Sequence, residues 1–309
     1  MLTIFILLLI QMKKIVNRRY DGSPTYEYFR ASDLGIKEER FSFYSGKWKL
    51  TGSRYFLANK KPKALIIFFH GIGDGRASYI KEISYLAKAG YLVYAYDNTG
   101  SMESEGNKII SLDYSLLDQK AFFKFLDTDK AAIRLKRYAV GHSWGGYNAL
   151  ISAKREYKIE KIVSLAGFLT SYDLILSYLP KKLKFLKPIC YIVARLFSPK
   201  SMSIKTRKIF EKSLTKVLYI QGEKDIVVPL EAGYLALQKS FKNNKNFSFK
   251  LIPNMGHSVY KSQESEHYVQ ELLKKGLDST NRPISLSMDL SKADNPNEEV
   301  WKTIFDFLA

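Results

Sequence analysis

The chain has 309 residues, 46% of them apolar, with a single cysteine; that composition can bury a sizeable core, and it excludes a disordered polypeptide and a disulfide-stapled scaffold. A net charge of +19 would suit a polyanionic partner, but the charge is regional: Pro180 to Lys216 holds eleven basic residues against Glu211 alone, and Lys261 to Ala309 holds six basic and nine acidic ones. With no zinc-finger, KH or RNP-type signature, no nucleic-acid partner is expected, and the lysines read as solvated surface, with an anionic membrane as the better functional alternative.

The first twenty residues, "MLTIFILLLIQMKKIVNRRY", are apolar through Ile10 and then basic at Lys13, Lys14, Arg18 and Arg19. The apolar run falls short of the ~20 residues that span a bilayer. It also lacks the basic start and the small-residue cleavage site of a secretory signal. Three readings stay open for this arm, residues 1–20: contact with a membrane, a true start at Met12, or an apolar arm folded onto the domain. If it does enter a membrane, the basic flank holds the body of the protein in the cytoplasm.

Residues 21–309 read as one domain. "RFSFYS", "WKLTG" and "RYFLA" look like three short antiparallel strands with turns at Gly46 and Gly52. The pattern then changes to buried-type strands ("ALIIFFHG", "YLVYAYD", "RYAVGHS", "KIVSLAG", "KVLYIQG", "FSFKLIP") alternating with helical stretches such as "SYIKEISYLAKAG", which repeats Ile80, Ile83, Leu86 and Ala87 on one face. Such alternation implies a mostly parallel central sheet with helices on both faces. Between Gly167 and Lys216 the alternation is interrupted. The interruption, about residues 168–213, is read as a helical cap inserted after the sixth strand, above the edge of the sheet where crevice ligands bind. Its Leu186, Ile189, Cys190, Val193 and Leu196 recur at helical spacing, as in a lid facing an acyl chain or a stripe packing the lid on the body.

"AVGHSWGGYNAL" places Gly141, His142, Ser143, Trp144 and Gly145 between a strand and a helix. A serine on such a turn is lifted clear of the sheet with a helix N-terminus beneath it, and its glycine neighbours permit the close backbone approach. A serine hydroxyl needs a base, and the base needs an orienting group. Of the four histidines, His257 follows the last strand, where a loop can swing it back over Ser143; His267 reads as a solvated helix residue, His142 faces the packed side of the turn, and the His70 imidazole reads as buried and structural. Asp225, beyond the strand ending near Gln221, is the candidate acid, with Asp97 as its rival and a helix-capping turn as the bland alternative. Backbone N–H groups of Ile72 and Trp144 are the candidate oxyanion donors.

The residues His70-Gly71-Ile72-Gly73, Asp97 to Gly100 with Ser104-Glu105-Gly106, Gly141 to Gly145, Gly222 to Pro229 and Gly256-His257 together resemble an α/β hydrolase of the serine aminopeptidase and monoacylglycerol lipase-like (lysophospholipase-like) branch. The resemblance implies the α/β-hydrolase fold and hydrolysis of carboxylic or lipid esters, or less often of peptides and amides, through a covalent acyl-enzyme on Ser143, with His257 as general base and Asp225 as its orienter. It implies no metal and no organic cofactor, and a small-molecule ester or lipid as the substrate. A serine aminopeptidase or amidase is the alternative, weakened because the part of the cap between Pro180 and Lys216 has Glu211 as its one acidic residue; a non-catalytic lipid- or partner-binding protein is the alternative of a different class. Two departures stand out. "DNTGSMES" carries Thr99 and Met102 at the usual arginine and glycine positions, and about fifty residues follow His257, read as lining the entrance or, in preference, as a surface loop, before a final helix near Glu298 to Leu308.

Overall fold

The computed structural model describes residues 6, 9–10, 13–22, 29–197, 206–275 and 289–309. Eight strands form one sheet: β1 Lys37–Ser45, β2 Trp48–Phe56, β3 Leu65–Phe69, β4 Leu92–Tyr96, β5 Arg137–His142, β6 Ile159–Leu165, β7 Lys216–Gly222 and β8 Phe247–Ile252. They lie in the order β1-β2-β4-β3-β5-β6-β7-β8. The pairs β1–β2 and β2–β4 are antiparallel and all the others are parallel. Every residue of β3, β4 and β5 is buried, which is why these segments read as continuous apolar runs rather than alternating ones.

The entrance to the sheet is two strands, not three. Gly52 sits inside β2, paired with both Phe41 and Tyr96. A Cβ there would collide with the Phe41 ring and the Ala95 carbonyl, so this glycine marks a close approach rather than a turn.

Helices cover both faces: α1 Ile80–Lys88, α2 Tyr114–Leu126, α3 Trp144–Ile151, α4 Ser171–Ser177, α5 Lys187–Phe197, α6 Thr206–Glu211, α7 Tyr234–Phe241, α8 Gln263–Lys275, α9 Leu290–Ala293 and α10 Glu298–Leu308. One core layer joins Ile66 and Phe68 of β3 to Ile83 of α1 and to Val300, Trp301 and Ile304 of α10. The layer on the other face joins Leu65, Ile67 and Phe69 to Phe122 of α2 and Leu150 of α3. β3 therefore feeds both layers, as alternate side chains of a central strand must.

α4 to α6 lie between β6 and β7, the place expected for the cap. Leu186, Cys190, Val193 and Ala194 are buried in a cluster with Trp144, Tyr147 and Phe168. The apolar stripe thus packs the cap onto the body, and Leu196, 60% exposed, falls outside it because Ala194 occupies the inward position. Most of the apolar run at the N-terminus lies outside the described residues, as does the middle of the segment after His257. The basic segment beyond the apolar run is docked on the body: Tyr20 N–H donates to the Gly100 carbonyl (2.9 Å), and Arg19 Nη1 donates to the carbonyls of Ser104 (2.8 Å) and Gly106 (2.7 Å).

Candidate active site

The turn between β5 and α3 is built by crowding. Ser143 has φ 57° and ψ −119°, a backbone conformation that costs about 1–3 kcal/mol and persists only where the surroundings impose it. Its N–H donates to the Leu165 carbonyl on β6 (2.8 Å). A Cβ on Gly141 would run into the Gly145 carbonyl, and one on Gly145 into the Phe69 carbonyl at the end of β3. The two glycines let the strand, the turn and the neighbouring strand close on one another. Trp144 opens α3, and its backbone N–H is one of the first-turn donors with no acceptor inside the helix; its indole is anchored to the Leu112 carbonyl (2.8 Å).

His257 and Asp225 meet directly. His257 Nδ1 lies 2.9 Å from Asp225 Oδ2 and 3.0 Å from Oδ1. The buried Asp225 carboxylate also accepts from the N–H groups of Val227 (3.0 Å) and Val228 (2.9 Å) and from Gln221 Nε2 (3.1 Å). Those donors lock the carboxylate plane, and with it the tautomer that leaves His257 Nε2 free of the proton. Ser143 and His257 share the lining of a cavity of about 360 Å³, together with Gly71, Ile72, Asp74, Ser78, Tyr79, His142 and residues of α8.

The remaining histidines divide as their sequence settings suggest. His70 is buried, bonded to the Gly71 carbonyl (2.7 Å) and accepting from Asn98 N–H (3.0 Å), and burial lowers its pKa. His267 is exposed on α8. His142 is buried; burial first, and then the His257 imidazole beside it, hold it well below the usual histidine value. It is therefore neutral. Tyr79 hydroxyl lies 2.8 Å from His142 Nδ1, and His142 Nε2 lies 3.1 Å from the His257 carbonyl. The consistent assignment is Tyr79 donating to Nδ1 and Nε2–H donating to His257. Since Gly71 N–H donates to the Tyr79 hydroxyl (3.2 Å), one chain of hydrogen bonds links the loop after β3, the turn at Ser143 and the loop carrying His257.

Asp97 does not join this group. Its buried carboxylate pairs with Arg76 and accepts from Arg76 N–H (2.7 Å). The departures at Thr99 and Met102 have a counterpart: Thr99 is held by Asp118 through its N–H (2.8 Å) and hydroxyl (2.9 Å), and the Met102 carbonyl accepts from Arg19. A guanidinium from the N-terminal segment thus serves the loop that lacks one at position 99. Nor is the stretch after His257 simply a surface loop, because it begins with α8, whose Glu266, Val269 and Gln270 line the cavity. Tyr79, Glu266 and Arg19 carry no local motif, and only their partners across the fold mark them. Among the described residues no group of three His, Cys, Asp or Glu side chains could hold a metal ion, and no helix is long and apolar enough to cross a membrane.

Comparison with known proteins agrees with this fold. Residues 60–208 match the family model described as serine aminopeptidase, S33. Rat monoglyceride lipase is 27% identical over 124 residues, covering 40% of this chain and 39% of the relative; human monoglyceride lipase is 30% identical over 100 residues, covering 32% and 33%. The match thus spans only about two fifths of the rat relative's length and a third of the human one's. A Pyrococcus furiosus esterase superposes with a TM-score of 0.59 at 20% identity, over 84% of this chain and 97% of the other. The chain has the α/β-hydrolase fold. A Pyrococcus horikoshii acylaminoacyl peptidase gives the same TM-score of 0.59 at 17% identity over 84% of this chain and 44% of the peptidase, so the fold is common to proteins named for ester and for peptide substrates and does not decide the substrate.

Proposed function

We propose that this α/β hydrolase is a serine esterase that cleaves carboxylic esters of medium or long acyl chain through an acyl-enzyme. The reading rests on one observation: His257, paired with Asp225 behind it, and a serine held at positive φ line the same cavity. Ser143 Oγ adds to the ester carbonyl as His257 Nε2 takes its proton, and Asp225 stabilises the imidazolium. The backbone N–H groups of Ile72 and Trp144 receive the oxyanion, helped by the positive end of α3. His257 then returns the proton to the leaving alcohol; in the second half-reaction it activates a water that releases the acid.

Trp144, beside Ser143, belongs to the apolar cluster beneath the cap, against which we place the acyl chain. Asp74, Ser78, Lys261 and Gln270 line the cavity by His257 and suit a polar alcohol portion. The relatives named monoglyceride lipase favour a lipid ester over a peptide, as does the near absence of acidic residues between Pro180 and Lys216. The excess of cations in that stretch and the apolar start of the chain also favour contact with an anionic membrane from the cytoplasmic side; flotation with anionic vesicles tests this, and protein left wholly at the bottom of the gradient refutes it.

The decisive experiment is hydrolysis of nitrophenyl esters of graded acyl length, with aminoacyl anilides alongside and Ser143→Ala as control. A maximum at a medium or long chain, abolished by the substitution, supports the esterase. Preference for the anilides transfers the reading to an aminopeptidase or amidase. Inert protein that a fluorophosphonate fails to label at Ser143 is a binding protein instead.

A further inference from the structure

The loop carrying His257 has no strand or helix of its own to stiffen it, yet three backbone groups at His257 and its two neighbours are held by side chains from elsewhere. Glu266, buried on the first turn of α8, accepts from the N–H of Gly256 through Oε2 (3.0 Å) and from the N–H of Ser258 through Oε1 (3.1 Å). Its two oxygens straddle His257. From the other side His142, the residue before Ser143, donates Nε2–H to the His257 carbonyl. Gly256 is a glycine because a Cβ there would press on the Glu266 carboxylate.

We propose that Glu266 is a positioning residue, a two-pronged carboxylate that fixes the backbone on both sides of the general base and so sets the aim of its imidazole. The inference rests on His257 being that base. Two charge-assisted bonds to amides on either side of His257 constrain rotation of the segment between them, which one bond cannot do. A small misplacement of a catalytic group lowers the rate far more than it lowers stability. Glu266→Gln tests it, since glutamine keeps the shape but sets an N–H₂ against one of the two amides. Glu271→Gln, half-buried on the same helix and paired with Lys274 rather than with the His257 loop, is the control.

Turnover is measured per fluorophosphonate-titrated site, well below the melting temperature, so that unfolded protein does not count. The expected result is kcat down about tenfold with KM within about twofold, while the Glu271 variant matches the wild type. The downfield proton NMR signal of His257 Nδ1–H should broaden or exchange faster in Glu266→Gln. Unchanged kcat, or a fall in melting temperature alone, overturns the proposal. If the wild type turns over no ester, the esterase reading fails by itself, and the imidazole signal still decides whether Glu266 holds His257.

Discussion

The turn at Ser143 and the loop at His257 are held in place by opposite means. The turn is made stiff by what is missing: Gly141 and Gly145 let three backbone segments touch, and the strain at Ser143 is imposed by that contact. The loop is held by what is added, with Asp225, Glu266 and His142, each from a different part of the chain, hydrogen-bonded to it, Glu266 twice. A crowded turn is specified within a few residues, whereas a tied loop is specified only by its partners.

The comparison can be broken at either end. Asp225→Asn should have the largest effect, lowering kcat on the order of 10⁴-fold per folded site, because the carboxylate holds the imidazole in one tautomer; a loss below about tenfold would show that His257 is oriented by something else. Gly145→Ala should cost about 3 kcal/mol of stability in denaturant titration, since the Phe69 carbonyl belongs to a central strand and cannot yield. Arg19→Gln should cost about 2 kcal/mol, the loss of guanidinium bonds to the loop carbonyls, and leave KM intact.

Smaller effects sharpen the same contrast. Tyr79→Phe removes the shared link between the loop after β3 and His142, and should lower kcat about fivefold, equivalent to about 1 kcal/mol, in a steady-state assay on a short-chain ester. Asp118, which holds Thr99, has its carboxyl pushed up by burial from 3.8 to about 6. The folded state therefore keeps the proton that the unfolded chain has lost, so this group's contribution to stability falls as pH rises from about 4 to about 6. Asp118→Asn should flatten that part of the stability–pH curve relative to the wild type, and an unchanged slope would refute the assignment.

How legible each part was depends on how local its cause is. β3, β4 and β5 are buried on both faces and so could be read as buried strands, and the glycine-flanked serine could be read because its backbone demands act on immediate neighbours. Gly52 misled because a glycine at a turn and a glycine under an aromatic ring look alike in sequence; only the pairing with Phe41 separates them. The cap stripe was traced correctly to Val193, but Leu196 lies outward because the fit of α5 on Trp144 and Tyr147 decides the helix's rotation.

By itself, then, the sequence determined the sheet, the turn at Ser143 and the candidacy of Asp225 and His257, since short-range sterics and hydrophobic periodicity act within a strand or a turn. Only the tertiary structure decided that Asp225 rather than Asp97 meets His257, that Arg19 serves the loop at Met102, and that Glu266 straddles the base. Hydrogen bonds between segments far apart in the chain leave no spacing to read, because their geometry exists only once the core has brought the segments together.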